Sequence, residues 1–345
     1  MNRLLFGLLY YSMIVVWGSC ATFRAILEFV KHPLTFFHQK KRDVQPEILQ
    51  DPSYGTHKYV TANGIKFHYV ANGTEGKPLM LFLHGFPEFW FSWRFQLPEF
   101  GRDYYAVAVD LRGYGDTERP PHKKDYQLEM LTQDIAELIP ALGYSSCVLV
   151  AHDWGGMLAW TLIQSHPELV DRFVVMDCPH YKIYMKTVSS NWKQFMNSWY
   201  MFVYQLPYLP EIMMCARDYK LLERVFFSKA MGLRNKEGFS KEVMEAFKYT
   251  FSKPGAFTAA INYHRNAFKS TGRAFRRSSD KVEKPVLLIW GDEDGALVKE
   301  MADQHDSVAT NLIVKHIPKC SHWVQQDRPD LVNQYMREFL QDDVS

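Results

Sequence analysis

One pentapeptide, His-Asp-Trp-Gly-Gly at residues 152–156, constrains this chain more than any other feature. It follows the apolar run 147–151, which is typical of a buried strand, and precedes a helical pattern from Met157 to Gln164. A small residue, any residue, a nucleophile, any residue and a glycine form a tight turn that lifts the central side chain above a sheet. Here that side chain is Asp153, so the sequence predicts a strand–turn–helix unit that presents a carboxylate nucleophile.

Apolar strands alternate with helical segments over most of the chain, which indicates a mostly parallel α/β sheet with helices on both faces. The interval 179–275 interrupts this alternation with helical, aromatic-rich sequence, and we expect it to form a cap over the carboxyl ends of the strands. We therefore divide the chain into an anchor at 1–23, a connector at 24–54, a core at 55–178 and 276–345, and the helical cap. The predicted core strands are 79–83, 105–110, 147–150, 172–176, 286–290 and 312–317.

Residues 4–23 carry no charged side chain and, at about 1.5 Å per residue, are long enough to cross a bilayer core of about 30 Å. Small residues near Cys20 leave a cleaved signal peptide open as the alternative. We expect a single-pass anchor in the endoplasmic reticulum. Basic residues are more frequent after this segment than before it, which favours a cytosolic catalytic domain. The five cysteines are widely spaced and predict free thiols, and a net charge of +2 gives no sign of a nucleic-acid partner.

Further motifs occur in order along the core. The run His-Gly-Phe-Pro follows the first core strand at 84–87, Asp-Leu-Arg-Gly-Tyr-Gly occupies 110–115, and Ser-His-Trp occupies 321–323. Together with residues 152–156, these runs resemble those of an epoxide hydrolase of the α/β-hydrolase fold, and the likeness covers roughly 55–342. The uncharged leader is similar to that of the membrane-anchored members of the family.

The resemblance implies hydrolysis of epoxides to vicinal diols without a cofactor or a metal ion. It implies that Asp153 opens the oxirane by attack on carbon, and that His322, oriented by Asp294, activates the water that hydrolyses the resulting ester. It also implies an oxyanion hole built from the backbone amides of Phe86 and Trp154.

A second carboxylate competes with Asp294 for the role of the acid. Asp294 follows the predicted strand 286–290, whereas Asp177 follows the neighbouring strand 172–176, from which some relatives of the fold orient their histidine. We expect Asp294 to be the acid, with Asp177 as the rival.

In the enzymes that the chain resembles, two cap tyrosines donate to the epoxide oxygen. The spacing to Gln-x-Pro selects Tyr200 as the first, and we expect its neighbour Tyr204 to serve in packing. Relatives carry Tyr-Arg-Asn late in the cap, where this chain has His264 before Arg-Asn; Tyr263 lies one residue early, about 100° away on a helix. Three readings stay open: His264 donates instead, Tyr263 reaches the site, or Tyr200 acts alone. We favour a His264 donor, which predicts pH sensitivity at about pH 6.5.

Two other functions stay open. Haloalkane dehalogenases share the Asp-His-acid machinery and hold the halide with a tryptophan at the position of Trp154. A catalytically silent hydrolase fold would serve as a membrane-tethered binding protein, for which His264 is the only support. The expected partners are a small apolar epoxide, water and a lipid bilayer around residues 4–23, with no nucleic acid and no obligate protein partner.

Overall fold

The computed structural model of the chain describes residues 3–274 and 281–341, with side chains at 7–267 and 281–341. A mixed sheet of eight strands forms its centre, in the order β1-β2-β4-β3-β5-β6-β7-β8. The pairs β1–β2 and β2–β4 are antiparallel, and all later pairs are parallel. The strands are β1 Thr56–Ala62, β2 Ile65–Asn72, β3 Leu79–Leu83, β4 Tyr105–Val109, β5 Cys147–His152, β6 Val170–Met176, β7 Val286–Gly291 and β8 Leu312–Ile317.

The helices of the core and of the cap follow one another in three groups. The N-terminal helix is α1 Arg3–Lys31, and the first core helices are α2 Leu97–Phe100, α3 Leu128–Ala141 and α4 Asp153–Ser165. The cap helices are α5 Tyr181–Ser190, α6 Trp192–Asn197, α7 Trp199–Val203, α8 Leu209–Phe227, α9 Lys241–Ser252 and α10 Ala256–Ala274, and the core ends with α11 Val324–Asp327 and α12 Pro329–Gln341. Short 3₁₀ helices lie at Glu47–Gln50, Trp90–Trp93, Lys123–Tyr126, Pro167–Leu169 and Lys299–Ser307.

The predicted mostly parallel α/β sheet is confirmed, and all six predicted core strands form within two residues of their expected ends. The helix after the pentapeptide begins earlier than expected, at Asp153 rather than Met157, because the tight turn ends at the nucleophile itself. The predicted return to the core at residue 276 lies outside the described residues.

Parallel pairing of the last four strands decides where the chemistry lies. Strands β5, β6, β7 and β8 are neighbours in that order, so their carboxyl ends share one edge of the sheet. The acids Asp153, Asp177 and Asp294 follow β5, β6 and β7, and His322 follows β8. Every residue of β3, β4, β5 and β7 is buried, which gives this edge a rigid base.

The N-terminal helix α1 lies against the cap. It continues without a break past residue 23, where the sequence placed the end of the apolar segment. The rings of Tyr10 and Phe202 lie 6.2 Å apart, as do those of Trp17 and Trp199, between their centroids. A window of 18 residues within Gly7–Lys31 reaches a mean hydropathy of 1.6, so by length and composition this helix is sufficient to cross a membrane.

The connector also binds the cap. Arg42 forms ion pairs with Asp218 at 2.6 Å and with Glu245 at 2.8 Å, and its own side chain is only 3% exposed. Asp218 lies in a break of α8, where residues 216–219 leave helical geometry, and its amide donates to the carbonyl of His38. The basic connector therefore holds an irregular part of the cap in place.

Candidate active site

The turn between β5 and α4 places Asp153 at the carboxyl edge of the sheet. Its φ of +49° lies in the left-handed region, a strained conformation for a residue with a side chain. The turn tolerates no bulk: a methyl group added to Gly155 would lie 2.3 Å from the carbonyl oxygen of Leu83. The predicted turn thus depends on glycine at this close approach of helix and strand.

The carboxylate of Asp153 is held from two sides. Its Oδ1 accepts a hydrogen bond of 2.8 Å from the amide of Phe86, and its Oδ2 lies 3.6 Å from Nε2 of His322. Burial by itself would raise the pKa of Asp153, but its contacts with His322 and the Phe86 amide outweigh burial and lower that pKa to about 2. Asp153 is therefore an ionised carboxylate at neutral pH.

A second carboxylate holds the histidine. Nδ1 of His322 and Oδ2 of Asp294 are 2.7 Å apart, while Oδ1 of Asp294 accepts from the amides of Ala296 at 2.6 Å and Leu297 at 3.0 Å. Burial lowers the pKa of His322, but the negative charges of Asp294 and Asp153 outweigh it and raise that pKa well above its ordinary value. The ring therefore carries both of its protons while Asp153 is ionised.

The rival acid Asp177 has a different environment. Its Oδ1 accepts from the amide of Gly291 at 2.9 Å, and its buried Oδ2 has no hydrogen-bond partner among the described residues. Burial and the charge of Asp294 raise the pKa of Asp177 well above its ordinary value. The structure thus gives His322 the partner Asp294 and leaves Asp177 as a neutral neighbour.

A buried pair of side chains, Glu88 and His152, lies behind His322 and was not predicted from the sequence. Oε2 of Glu88 lies 2.7 Å from Nδ1 of His152, and Nε2 of His152 lies 2.8 Å from the carbonyl oxygen of His322. The side chains of Gln325 and Gln326 donate to the other oxygen of Glu88. This pair fixes the backbone of His322, and its signal was the Glu88 that directly follows the His-Gly-Phe-Pro run.

A cavity of about 470 Å³ lies over these groups, beneath the cap. Apolar side chains, many of them aromatic residues and methionines, form most of its wall, and Asp153 and His322 also line it. From the cap it receives Tyr200, which the sequence predicted, and Tyr204, which was expected only to pack. Such a lining suits a ligand that is largely apolar and that reaches Asp153.

The two other cap candidates take different positions. His264 lines the cavity, but its Nε2 accepts a hydrogen bond of 2.9 Å from the indole N–H of Trp154. An indole N–H only donates, so the ring carries its proton on Nδ1 and offers none from Nε2. Tyr263 is fully buried and its hydroxyl donates to the carbonyl of Arg112 at 2.8 Å, so the structure does not bring it to the cavity.

The expected titration of His264 at about pH 6.5 needs correction. Burial lowers the pKa of His264 to about 4, although the negative charge of Asp153 acts in the opposite direction. The ring is therefore neutral across the physiological range. For Trp154 the structure shows the contact of its indole with His264, and the role of its amide in an oxyanion hole stays a prediction.

The fold and this site together define a hydrolase of the α/β class, and a family model described as the alpha/beta hydrolase fold matches residues 78–329. Curated relatives narrow that class. Human epoxide hydrolase 4 is 40% identical over 350 residues, which cover 98% of this chain and 94% of the relative. Epoxide hydrolase 3 of Xenopus tropicalis is 42% identical over 323 residues, 92% of this chain and 87% of the relative.

The chain is also similar to solved structures of epoxide hydrolases. An epoxide hydrolase from Bacillus megaterium superposes with a TM-score of 0.75 at 31% identity, covering 82% of this chain and 99% of that one. An epoxide hydrolase from Vigna radiata gives a TM-score of 0.72 at 28% identity, covering 83% and 98%. The chain belongs to the epoxide hydrolases of the α/β-hydrolase fold.

Proposed function

We propose that this enzyme converts epoxides to vicinal diols in two steps, through an ester on Asp153. One observation carries the proposal: an ionised carboxylate at the turn lies 3.6 Å from a histidine that a second carboxylate holds at 2.7 Å. Those are the groups that formation and hydrolysis of an alkyl-enzyme ester require. The proposed cycle uses these side chains, the epoxide and water.

In the first step, an oxygen of Asp153 attacks one epoxide carbon and forms the ester bond. The ring C–O bond breaks and its electron pair passes to the epoxide oxygen, which takes a proton from a cap hydroxyl. Tyr200 lines the cavity, and burial raises its pKa well above the ordinary value, so it keeps a proton until an alkoxide forms. The products are a hydroxyalkyl ester and a tyrosinate.

The second step needs a basic His322. Esterification removes the negative charge of Asp153 and with it one of the two charges that raise the pKa of His322. His322 then gives a proton to the tyrosinate and becomes a base just when a base is needed. It takes a proton from water, the hydroxide attacks the ester carbonyl, and the bond between the carbonyl carbon and the substrate oxygen breaks. The new carboxyl group of Asp153 gives its proton to the departing alkoxide. The diol leaves, and the cycle ends as it began, with His322 protonated and Asp153 ionised.

The amide of Phe86 serves the second step as well. In the resting enzyme it donates to Oδ1 of Asp153 at 2.8 Å, and the same oxygen bears the negative charge when water attacks the ester carbonyl. We propose that the amide of Trp154, near the amino end of α4, provides the second donor.

The dehalogenase alternative receives less support from the structure. The indole N–H of Trp154, which would hold a halide, is engaged with His264. Every relative and structure compared above is called an epoxide hydrolase.

We also propose that α1 attaches the enzyme to a membrane as a single-pass anchor in the endoplasmic reticulum, with the catalytic domain in the cytosol. Its exposed apolar side chains, among them Val15, Phe23 and Val30, would contact lipid. The other side of α1 packs on Trp199, which also lines the cavity, so the cavity lies next to the anchor. An apolar epoxide dissolved in the bilayer therefore suits this enzyme as a substrate.

A single-turnover reaction in water enriched with oxygen-18 tests the ester. We use full-length enzyme in detergent, in molar excess over trans-stilbene oxide. Through the ester, the first diol carries an unlabelled oxygen from Asp153, and the heavy isotope enters the Asp153 carboxylate. Heavy oxygen in the diol of the first turnover would show direct attack by water and end the proposal. The Asp153→Asn variant is the control, and we expect it to form neither ester nor diol.

A further inference from the structure

The proposed ring opening lacks one donor. Enzymes that this chain resembles use two cap tyrosines, yet here His264 replaces the second one, and its Nε2 already accepts from Trp154. The hydroxyl of Tyr263, the nearest tyrosine in sequence, already donates to the carbonyl of Arg112. A single donor, Tyr200, would then have to stabilise the whole developing charge on the epoxide oxygen.

Tyr204 lies where a second donor is needed. It follows the last turn of α7, four residues after Tyr200, and its amide donates to the carbonyl of Tyr200 at 2.9 Å. Residues four apart project from the same side of a helix, and the two tyrosine rings have centroids 5.8 Å apart. Both side chains line the cavity, and neither hydroxyl makes a hydrogen bond to a described residue.

Two neighbours fix the ring of Tyr204 near the nucleophile. Its centroid lies 5.6 Å from that of Phe86, whose amide binds Asp153. It lies 4.7 Å from the ring of His264 in an edge-to-face arrangement. Tyr204 therefore stands beside the very position at which the related enzymes carry their second tyrosine.

We propose that Tyr204 is the second hydroxyl donor to the epoxide oxygen, with His264 as a positioning residue that holds Tyr204 and Trp154 by ring contacts. This inference rests on the proposed function, because it concerns the same ring-opening step. As Asp153 forms the new C–O bond, the two hydroxyls both bind the oxygen that gains the electron pair of the broken bond. One of them transfers its proton, and the other donates a hydrogen bond to the resulting hydroxyl.

The electrostatics of the site agree with this role. Burial raises the pKa of Tyr204, and the negative charge of Asp153 acts in the same direction. The hydroxyl therefore stays protonated in the resting enzyme, and it can give its proton only to a strong base such as the alkoxide that ring opening forms.

Single-turnover kinetics with trans-stilbene oxide test the role of Tyr204. Rapid quenching followed by mass spectrometry of the peptide that contains Asp153 gives separate rates for formation and hydrolysis of the ester. We expect Tyr204→Phe to slow ester formation by about 10- to 100-fold and to leave ester hydrolysis within about threefold. The control is Tyr263→Phe, which removes a buried hydroxyl outside the cavity and should leave both rates within about threefold of those of the parent.

A rescue variant separates a donor from a packing residue. In the Tyr204→Phe background, His264→Tyr returns a hydroxyl to the position used by the related enzymes, and we expect most of the lost ester-formation rate to return. Ester formation within about threefold of the parent rate in Tyr204→Phe overturns the proposal, as does an equal loss in both steps. If the parent enzyme itself forms no ester, the proposed function fails, a result distinct from failure of the Tyr204 proposal.

Discussion

Replacing Asp294 by asparagine removes the negative charge beside His322 but hardly changes the size of the side chain. In the structure Oδ1 of Asp294 accepts from the amides of Ala296 and Leu297, and Oδ2 faces Nδ1 of His322 at 2.7 Å. The asparagine carbonyl can keep both amide bonds, which turns its NH₂ group toward Nδ1. Because NH₂ donates, Nδ1 must accept, and the histidine proton moves to Nε2, which faces Asp153.

With its proton on Nε2, His322 can no longer act as the base in the second step. Nε2 has to take a proton from water, and in the variant it already carries one. A comparable Asp-to-Asn change in a catalytic triad lowers turnover by about 10⁴-fold, or about 5.5 kcal/mol of transition-state stabilisation. We therefore expect ester hydrolysis to slow by about 10³- to 10⁴-fold. Ester formation should slow by less than about tenfold, because the attacking carboxylate stays ionised.

Asp177→Asn provides a matched control at the end of the adjacent strand. The side chain of Asp177 is buried like that of Asp294, but it accepts from the amide of Gly291 instead of holding His322. A neutral acid and an amide differ little in shape and charge, so we expect both steps to stay within about threefold of the parent rates.

The assay is a rapid-quench reaction of each variant with excess epoxide, in which the ester on Asp153 is followed by mass spectrometry. Asp294→Asn should show a burst of ester equal to the enzyme concentration and then almost no diol. The reasoning is refuted if Asp177→Asn accumulates the ester and Asp294→Asn turns over normally, because Asp177 would then be the acid. Thermal unfolding of both variants checks that each is folded.

Three further perturbations have expected outcomes. Since the pKa of His264 is about 4 and that of Asp153 about 2, while the pKa of His322 is raised well above its ordinary value, the rate of ester formation in single-turnover experiments should be flat from about pH 5 to about pH 7. An inflection at about pH 6.5 that His264→Tyr abolishes would contradict this. Gly155→Ala should destabilise the fold by about 1–3 kcal/mol or more in denaturant unfolding, because its methyl group would lie 2.3 Å from the Leu83 carbonyl; an unchanged midpoint would contradict the close approach. If α1 spans a bilayer, the full chain should stay in the membrane pellet at alkaline pH, while a chain without residues 1–31 should not; release of the full chain would instead indicate a peripheral helix.

Local patterns were sufficient for the architecture and for the order of the catalytic residues. A strand or a tight turn is specified by neighbours in sequence: Asn63 and Gly64 adopt φ values of +46° and +70°, as a two-residue hairpin turn requires. The pentapeptide turn depends likewise on nearby residues, since Gly155 and Gly156 come two and three residues after the nucleophile, where helix and strand approach closely. The apolar strands on either side are equally local, so chain order alone indicated that Asp153 and His322 belong to one site.

Which side chains meet within that site was decided by tertiary structure. Asp177 and Asp294 both follow parallel strands, so the sequence could not tell which carboxylate reaches His322; the loop after β7 settles it through its amide bonds to Asp294. In the cap, the sequence assigned Tyr204 to packing and made Tyr263 a candidate donor, yet Tyr204 lines the cavity and the hydroxyl of Tyr263 donates to a core carbonyl. Successive side chains on a helix point about 100° apart, and only the packing of the cap over the sheet determines which of them face the cavity.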